Sequence, residues 1–195
     1  MKRRRTTAGE LLARLEQDPA YLARQAERAE RVRIAVEEDA REQRRLLEEC
    51  AEAGFDIGSV WDLVNRANDY DRLIPILARH LRLTYSPPTI DGIARALALR
   101  AARPYWVNIA ATFLETPADS RAKQGLACAL AMTASADVVD ELHGLLMDPQ
   151  HGESRILLVD GLRRVPKAKA EAIREELRQD PLFAKRLKHV AKRTR

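Results

Sequence analysis

The chain has 195 residues, of which 46% are hydrophobic, 32% are charged and 5% are aromatic, and its formal net charge is +5. This composition predicts a soluble all-α protein whose core is built mainly from Ala, Leu, Ile and Val. No apolar run approaches the roughly 18 residues that span a bilayer, and two cysteines are too few for a disulfide framework or a four-thiol zinc site. We therefore expect a cytoplasmic protein without metal or cofactor.

The first predicted elements are a short helix and a long one. Thr7 and Glu10 have the spacing of a capping box, and the helix that they open should end near Asp18. Pro19 suits the first turn of a second helix, and neither Gly nor Pro interrupts residues 20–53. This stretch predicts one helix about 50 Å long.

The long helix carries a weak stripe of the coiled-coil kind, whose positions step alternately by four and three residues. The stripe consists of Leu22, Ala26, Ala29, Arg33, Val36, Ala40, Gln43, Leu47 and Cys50. Because Arg33 and Gln43 stand where apolar residues belong, we expect the helix to pack at its two ends and to be solvated between them. Dimerisation through this stripe is the alternative.

Gly54 is well placed to end the long helix in the left-handed conformation, with Phe55 making the accompanying apolar contact. We therefore predict an N-terminal part over residues 1–54 and a helical-repeat domain over residues 55–195. Ser59 to Asp62 offers another capping box, at the start of a short helix.

Further helices are predicted beyond residue 69, with each break marked by Pro, Gly or an acidic cap. They lie near residues 70–83, 88–100, 103–116, 119–133, 136–148, 153–165, 167–179 and 182–193. Two series of leucines recur along them every 32 or 33 residues, a period typical of stacked helical hairpins. Leu81, Leu114 and Leu146 close the first helices of the hairpins, and Leu97, Leu130 and Leu162 close the second helices.

One hairpin shows the repeat most fully. Residues 141–162 combine an apolar first helix, an Asp-Pro turn, an Arg that opens a second helix and a closing pattern of small residues and Leu. Residues 116–130 repeat the turn and second helix with Arg121, whereas the first turn, at residues 86–88, lacks the Asp and the Arg. Over about residues 69–180 the chain thus resembles HEAT repeats. That resemblance implies a right-handed α-α superhelix in which the second helices line a concave binding face.

Aligning the second helices by these repeats puts six polar positions on the concave face, where we expect them to contact a partner. They are Asp91, Arg95, Gln124, Asp160, Arg163 and Arg164. The alternative is that they are ordinary solvated positions, or that Asp91 and Arg95 only pair with each other one turn apart.

Catalytic patterns are missing from the sequence. It contains no H-E-x-x-H, no glycine-rich phosphate loop and no G-x-S-x-G. The histidines do not gather into a set either: His80 and His143 are predicted near helix ends, and His151 and His189 are predicted to be exposed. Cys128 and both tryptophans fall among apolar neighbours and are predicted to be core residues.

The positive charge belongs to the two ends of the chain, because residues 6–180 hold 24 Lys and Arg against 29 Asp and Glu. From Arg155 onward 13 basic residues face 5 acidic ones, a balance suited to phosphates or to an acidic protein. The last predicted helix supplies Lys185, Arg186, Lys188, Lys192 and Arg193 as possible polyanion contacts. Some HEAT-like arrays bind DNA, including alkylpurine DNA glycosylases, but the Trp, Asp and Arg site of that family has no match here.

These observations predict a non-enzymatic scaffold, adaptor or inhibitor whose partner is another protein. Nucleic-acid binding through the basic C-terminal hairpins is the alternative.

Overall fold

The computed structural model describes residues 7, 9, 17–64, 66 and 69–183. These residues form helices joined by turns and loops, with no strand among them, so the predicted all-α class is confirmed. The α-helices are α1 (Pro19–Glu52), α2 (Val60–Val64), α3 (Ile74–His80), α4 (Pro87–Ala96), α5 (Trp106–Glu115), α6 (Arg121–Thr133), α7 (Val139–Met147), α8 (Arg155–Leu158) and α9 (Lys167–Leu177). Short 3₁₀ helices occupy Asp71–Leu73, Arg100–Tyr105, Ala136–Val138, Pro149–Ser154 and Val159–Arg163.

Two sets of predictions lie outside the described residues. The short helix predicted to end near Asp18 is one, since only four of its positions are described. The other is the last predicted helix, which is not described beyond Phe183. It includes His189 and all five of the basic residues expected to contact a polyanion.

The chain divides into two compact units, residues 1–42 and residues 43–195. The division falls inside α1, about three turns before the boundary that the sequence predicted after Gly54. The reason is that the last turns of α1 contribute Gln43, Leu46 and Cys50 to the core of the second unit.

Within the first unit, α1 is mostly solvent-exposed. Leu22 is 49% exposed and Val36 is 61% exposed, so the packing expected at the N-terminal end of the long helix is not observed. Arg33 bridges Glu30 and Glu37, each at 2.6 Å. These pairs lower the pKa of Glu30 and raise that of Arg33, in the pattern expected of a solvated charged helix. Dimerisation through α1 stays a prediction.

The end of α1 and the start of α2 have the predicted caps. Gly54 has a φ of 91°, its N–H donates to Ala51 O, and the Phe55 N–H donates to Cys50 O, which together make a Schellman motif. At α2, Asp62 Oδ2 accepts the Ser59 N–H at 3.0 Å. Both predicted caps are therefore confirmed.

Buried polar side chains join the last turns of α1 to the rest of the second unit. Gln43 Oε1 accepts the Val60 N–H at 2.9 Å, which satisfies the start of α2. The fully buried His80 lies 2.8 Å through Nε2 from Glu49 Oε2 and 2.6 Å through Nδ1 from Tyr85 Oη. His80 thus joins α1 to α3 instead of only capping its own helix.

The even-numbered helices pack against one another in series: α2 on α4, α4 on α6, and α6 on α8 and the 3₁₀ helix that follows it. Small residues permit the close approach. A Cβ added at Gly92 would lie 2.5 Å from Val60 Cγ1, and one added at Gly161 would lie 3.3 Å from Ala131 Cα. This is the packing order that stacked hairpins require, while the right-handed superhelix stays a prediction.

The two leucine series belong to the core with one exception. Five of the six leucines are buried: Leu81, Leu97, Leu130, Leu146 and Leu162. Leu114, in contrast, is 58% exposed, and Phe113 is fully buried in its place. In α5 the buried position is therefore residue 113 instead of residue 114, and the large apolar side chain of Leu114 lies on the surface.

Candidate functional site

Asp91 lies on α4 within the predicted binding face, but it is only 1% exposed. Its Oδ1 accepts a hydrogen bond from Arg95 Nε at 2.8 Å, and its Oδ2 accepts one from Arg121 Nε at 3.2 Å. A buried carboxylate is costly unless it is paired and hydrogen-bonded, so these two arginines are what permits its burial. The expectation that Asp91 itself contacts a partner is corrected: its oxygens are engaged within the chain.

The close approach of α4 and α6 creates this arrangement. A Cβ added at Gly125 of α6 would lie 2.3 Å from Asp91 Oδ1 and 2.7 Å from the Asp91 carbonyl oxygen. No side chain fits at that distance, so glycine at this position lets the two helices meet. The same contact brings Arg121, one turn earlier on α6, beside the carboxylate.

Arg121 was not among the predicted partner contacts, although the repeat pattern singled it out as the residue that opens a second helix. Its side chain is 64% exposed while it pairs with Asp91. Its guanidinium carbon also lies 5.6 Å from the ring centroid of Trp61 on α2, within the range of a cation–π contact. Trp61 is half-buried, so the exposed surface continues from α6 onto α2.

The face extends in the other direction across the C-terminal half of α6. Arg164 donates to the Asp160 carbonyl oxygen at 3.1 Å, and its Nη2 lies 2.8 Å from Met132 Sδ of α6. Half-buried Cys128 lies one turn before Met132 on α6, and burial raises the pKa of its thiol.

Gln124 and Arg163 complete the face. Both are exposed, and neither side chain makes a hydrogen bond or an ion pair with another part of the described chain. We call the assembled surface the second-helix face, and it consists of Arg95, Arg121, Gln124, Asp160, Arg163 and Arg164. Four guanidinium groups against one exposed carboxylate make it cationic.

Two further cations of the second helices are buried and serve the fold. Lys123 Nζ donates to the carbonyl oxygens of Phe113 and Thr116, the latter at 2.8 Å, and Arg155 Nε donates to the Leu146 carbonyl oxygen at 3.1 Å. Each therefore caps the C-terminal end of the preceding first helix. The sequence pattern aligned Arg121 with Arg155. In the structure it is Lys123 that caps the preceding helix as Arg155 does.

A groove of about 520 Å³ lies between α5 and α7, away from the predicted face. Its α5 side presents Val107, Ala110, Ala111 and Leu114, and Val107 is 73% exposed. The repeat pattern did not predict this groove, because Leu114 belongs to a series whose other members are buried.

One end of the groove reaches His151, which the sequence predicted to be exposed. That prediction is wrong: His151 is buried, and its ring lies edge-on to Phe113 with centroids 4.7 Å apart. Burial is the main cause that lowers its pKa. Trp106, also at the groove, is buried as predicted.

Within the part of the chain that is described, no three His, Cys, Asp or Glu side chains gather to hold a metal ion. No helix there combines the length and the apolar composition that crossing a membrane requires.

Comparison of the chain with protein-family models, with curated proteins and with solved structures finds no match. The resemblance to HEAT repeats therefore stays a prediction.

Proposed function

We propose that the protein is a non-enzymatic protein-binding scaffold, adaptor or inhibitor that recognises its partner through the second-helix face. The observation that carries the proposal is the pair of arginines held by Asp91. One buried carboxylate fixes two guanidinium groups, so a positive charge is left over on the surface and its position is set before a partner arrives. Preorganisation of this kind lowers the entropy lost on binding.

The composition of the face favours a protein partner. Arginine is enriched at protein interfaces and contributes strongly to them when it is held in place. Gln124 and Arg163 lie in the same face without a partner in the described chain, and they add free donors beside the fixed pair. Over residues 6–180 the acidic groups outnumber the basic ones by 29 to 24, unlike the net positive charge that is typical of nucleic-acid-binding domains.

The test is a comparison of proteins captured from an extract of the native source. The test variant is Gln124→Glu with Arg163→Glu, because both side chains are exposed and neither has a hydrogen-bond or ion-pair partner among the described residues. The control is Arg178→Glu with Gln179→Glu, an exposed Arg and Gln pair directly after α9, where the change removes only the exposed ion pair between Arg178 and Glu175. A Tm close to that of the unmodified protein confirms that each variant is folded.

We expect at least one protein to be retained by the unmodified chain and by the control, and to be reduced at least tenfold by the test variant. Equal capture by all three would contradict the proposal. Retention of the chain on a DNA column at low salt, lost at moderate salt, would favour the nucleic-acid alternative instead.

A further inference from the structure

The groove between α5 and α7 is a second surface, independent of the second-helix face. Its α5 side is formed by residues 107, 110, 111 and 114, and its α7 side by residues 141, 144, 145 and 148. Residues 107, 110, 111 and 114 follow the spacing i, i+3, i+4, i+7 and form one row along α5. Residues 141, 144 and 145 form a row along α7, and Asp148, the extended residue directly after that helix, continues it. Rows of this length run for about two turns, or roughly 10 Å.

Small residues leave open space along both sides of the groove. Ala110 and Ala111 lie on the α5 side and Gly144 on the α7 side, and a Cβ added at Gly144 would meet no atom within 4 Å. The large apolar side chains Val107 and Leu114 border the α5 row at its two ends. An amphipathic helix laid along such a groove buries its apolar stripe, as in helix-in-groove recognition.

The charge of the groove fixes the chemistry of its occupant. Glu141 and Asp148 lie at the two ends of the α7 row, seven residues apart, and none of the described residues that line the groove is a Lys or an Arg. Glu141 is exposed and has no ion-pair partner in the described chain. Asp148 accepts the Gln150 N–H at 2.8 Å through Oδ1, and its Oδ2 lies 3.6 Å from His151 Nε2, beyond hydrogen-bond distance.

From this arrangement we infer that the groove binds an amphipathic helix of a partner protein that carries Lys or Arg about two turns apart beside its apolar stripe. The apolar stripe packs against Val107 and Leu114, and the two cations pair with Glu141 and Asp148. An acidic helix of the same apolar pattern is repelled by the same carboxylates.

Two labelled 18-residue peptides test the inference by fluorescence anisotropy with the full chain at 150 mM salt. Both have Leu at i, i+3, i+4 and i+7 spacing, and their remaining positions are Lys in one peptide and Glu in the other. The blocking variant is Gly144→Leu, which places a side chain in open space and favours helix formation. The control is Ala172→Leu, at an exposed small residue of α9.

We expect the Leu/Lys peptide to bind at least tenfold more tightly than the Leu/Glu peptide. Gly144→Leu should weaken that binding at least tenfold, Glu141→Lys should weaken it several-fold, and Ala172→Leu should leave it unchanged. The inference is overturned if neither peptide binds, if the Leu/Glu peptide binds as well, or if Gly144→Leu has no effect. Sedimentation velocity of the unmodified chain and of Gly144→Leu tests whether a second copy occupies the groove. A dimer of the unmodified chain that is lost in Gly144→Leu would overturn the proposed occupant.

Discussion

At the scale of single residues, the second-helix face depends on a position where no side chain is tolerated. Gly125 lets α6 approach Asp91, and this approach brings Arg121 to the carboxylate that also holds Arg95. The positions of the two guanidinium groups are therefore set by a buried glycine and a buried carboxylate.

Gly125→Ala should lower the free energy of unfolding by about 2 kcal/mol, because the added methyl group must separate two closely packed helices. Gly144→Ala is the matched control: it lies in α7, where the same methyl group meets open space, and should raise stability by up to about 1 kcal/mol. Urea unfolding followed by circular dichroism measures both. Equal changes in unfolding free energy for the two substitutions would contradict the close contact at Gly125, because helix propensity alone would then explain both.

A second residue-scale prediction concerns Glu49, which is partly buried. Burial would raise its pKa, but hydrogen bonds from His80 and Arg79, together with their charges, outweigh burial and hold the pKa at about 2, below the ordinary value of 4.5. Since the folded-state pKa is the lower one, Glu49 contributes stability above about pH 4.5, and the contribution falls as the pH drops toward 2.

The difference in unfolding free energy between the wild-type protein and Glu49→Gln should therefore be largest near pH 7, at up to about 3 kcal/mol, and should shrink by pH 3. Urea unfolding of both proteins at several pH values gives this difference. A difference that stays constant over this range would refute the assigned role of Glu49.

At the scale of elements, α1 belongs to two units whose side chains behave differently. Residues 19–42 are mostly exposed, whereas Gln43, Leu46 and Cys50 are buried and Glu49 is bound to α3. The helix is continuous in sequence propensity, so its pattern alone does not reveal where the second unit begins.

Removal of residues 1–42 should leave the second unit folded, with an unfolding free energy within about 1 kcal/mol of that of the full chain. Removal of residues 1–52 should cost at least about 4 kcal/mol, because it deletes the buried Leu46 and Cys50 together with the partners of Val60 and His80. Thermal and urea unfolding of the two truncated chains provide the comparison. Similar stability of both would contradict the division of α1.

At the scale of the whole molecule, local signals in the sequence predict much of the helical structure. The Gly54 cap, the cap at Ser59 and Asp62, and five of the six repeated leucines all occur where expected. Each of these depends on a residue and its near neighbours along the chain, or on the repeat period.

What the sequence did not predict depends on contacts between helices. The burial of Asp91, the part that Arg121 plays beside it and the exposure of Leu114 all follow from how α4, α5 and α6 meet. His151 is buried for the same kind of reason, since Phe113 of α5 covers its ring. The exposed apolar groove likewise appears only once α5 and α7 are placed side by side.

Arginine footprinting tests the central claim most directly. The complex recovered from native extract, and the free chain beside it, are treated with phenylglyoxal, and the modification rate of each arginine is read by mass spectrometry. If a partner binds the second-helix face, Arg121 and Arg163 should react at least fivefold more slowly in the complex than in the free chain. The exposed control residue Arg178, which lies outside this face, should react at an unchanged rate. Unchanged rates at Arg121 and Arg163, with protection at Arg178 instead, would contradict a partner bound to this face.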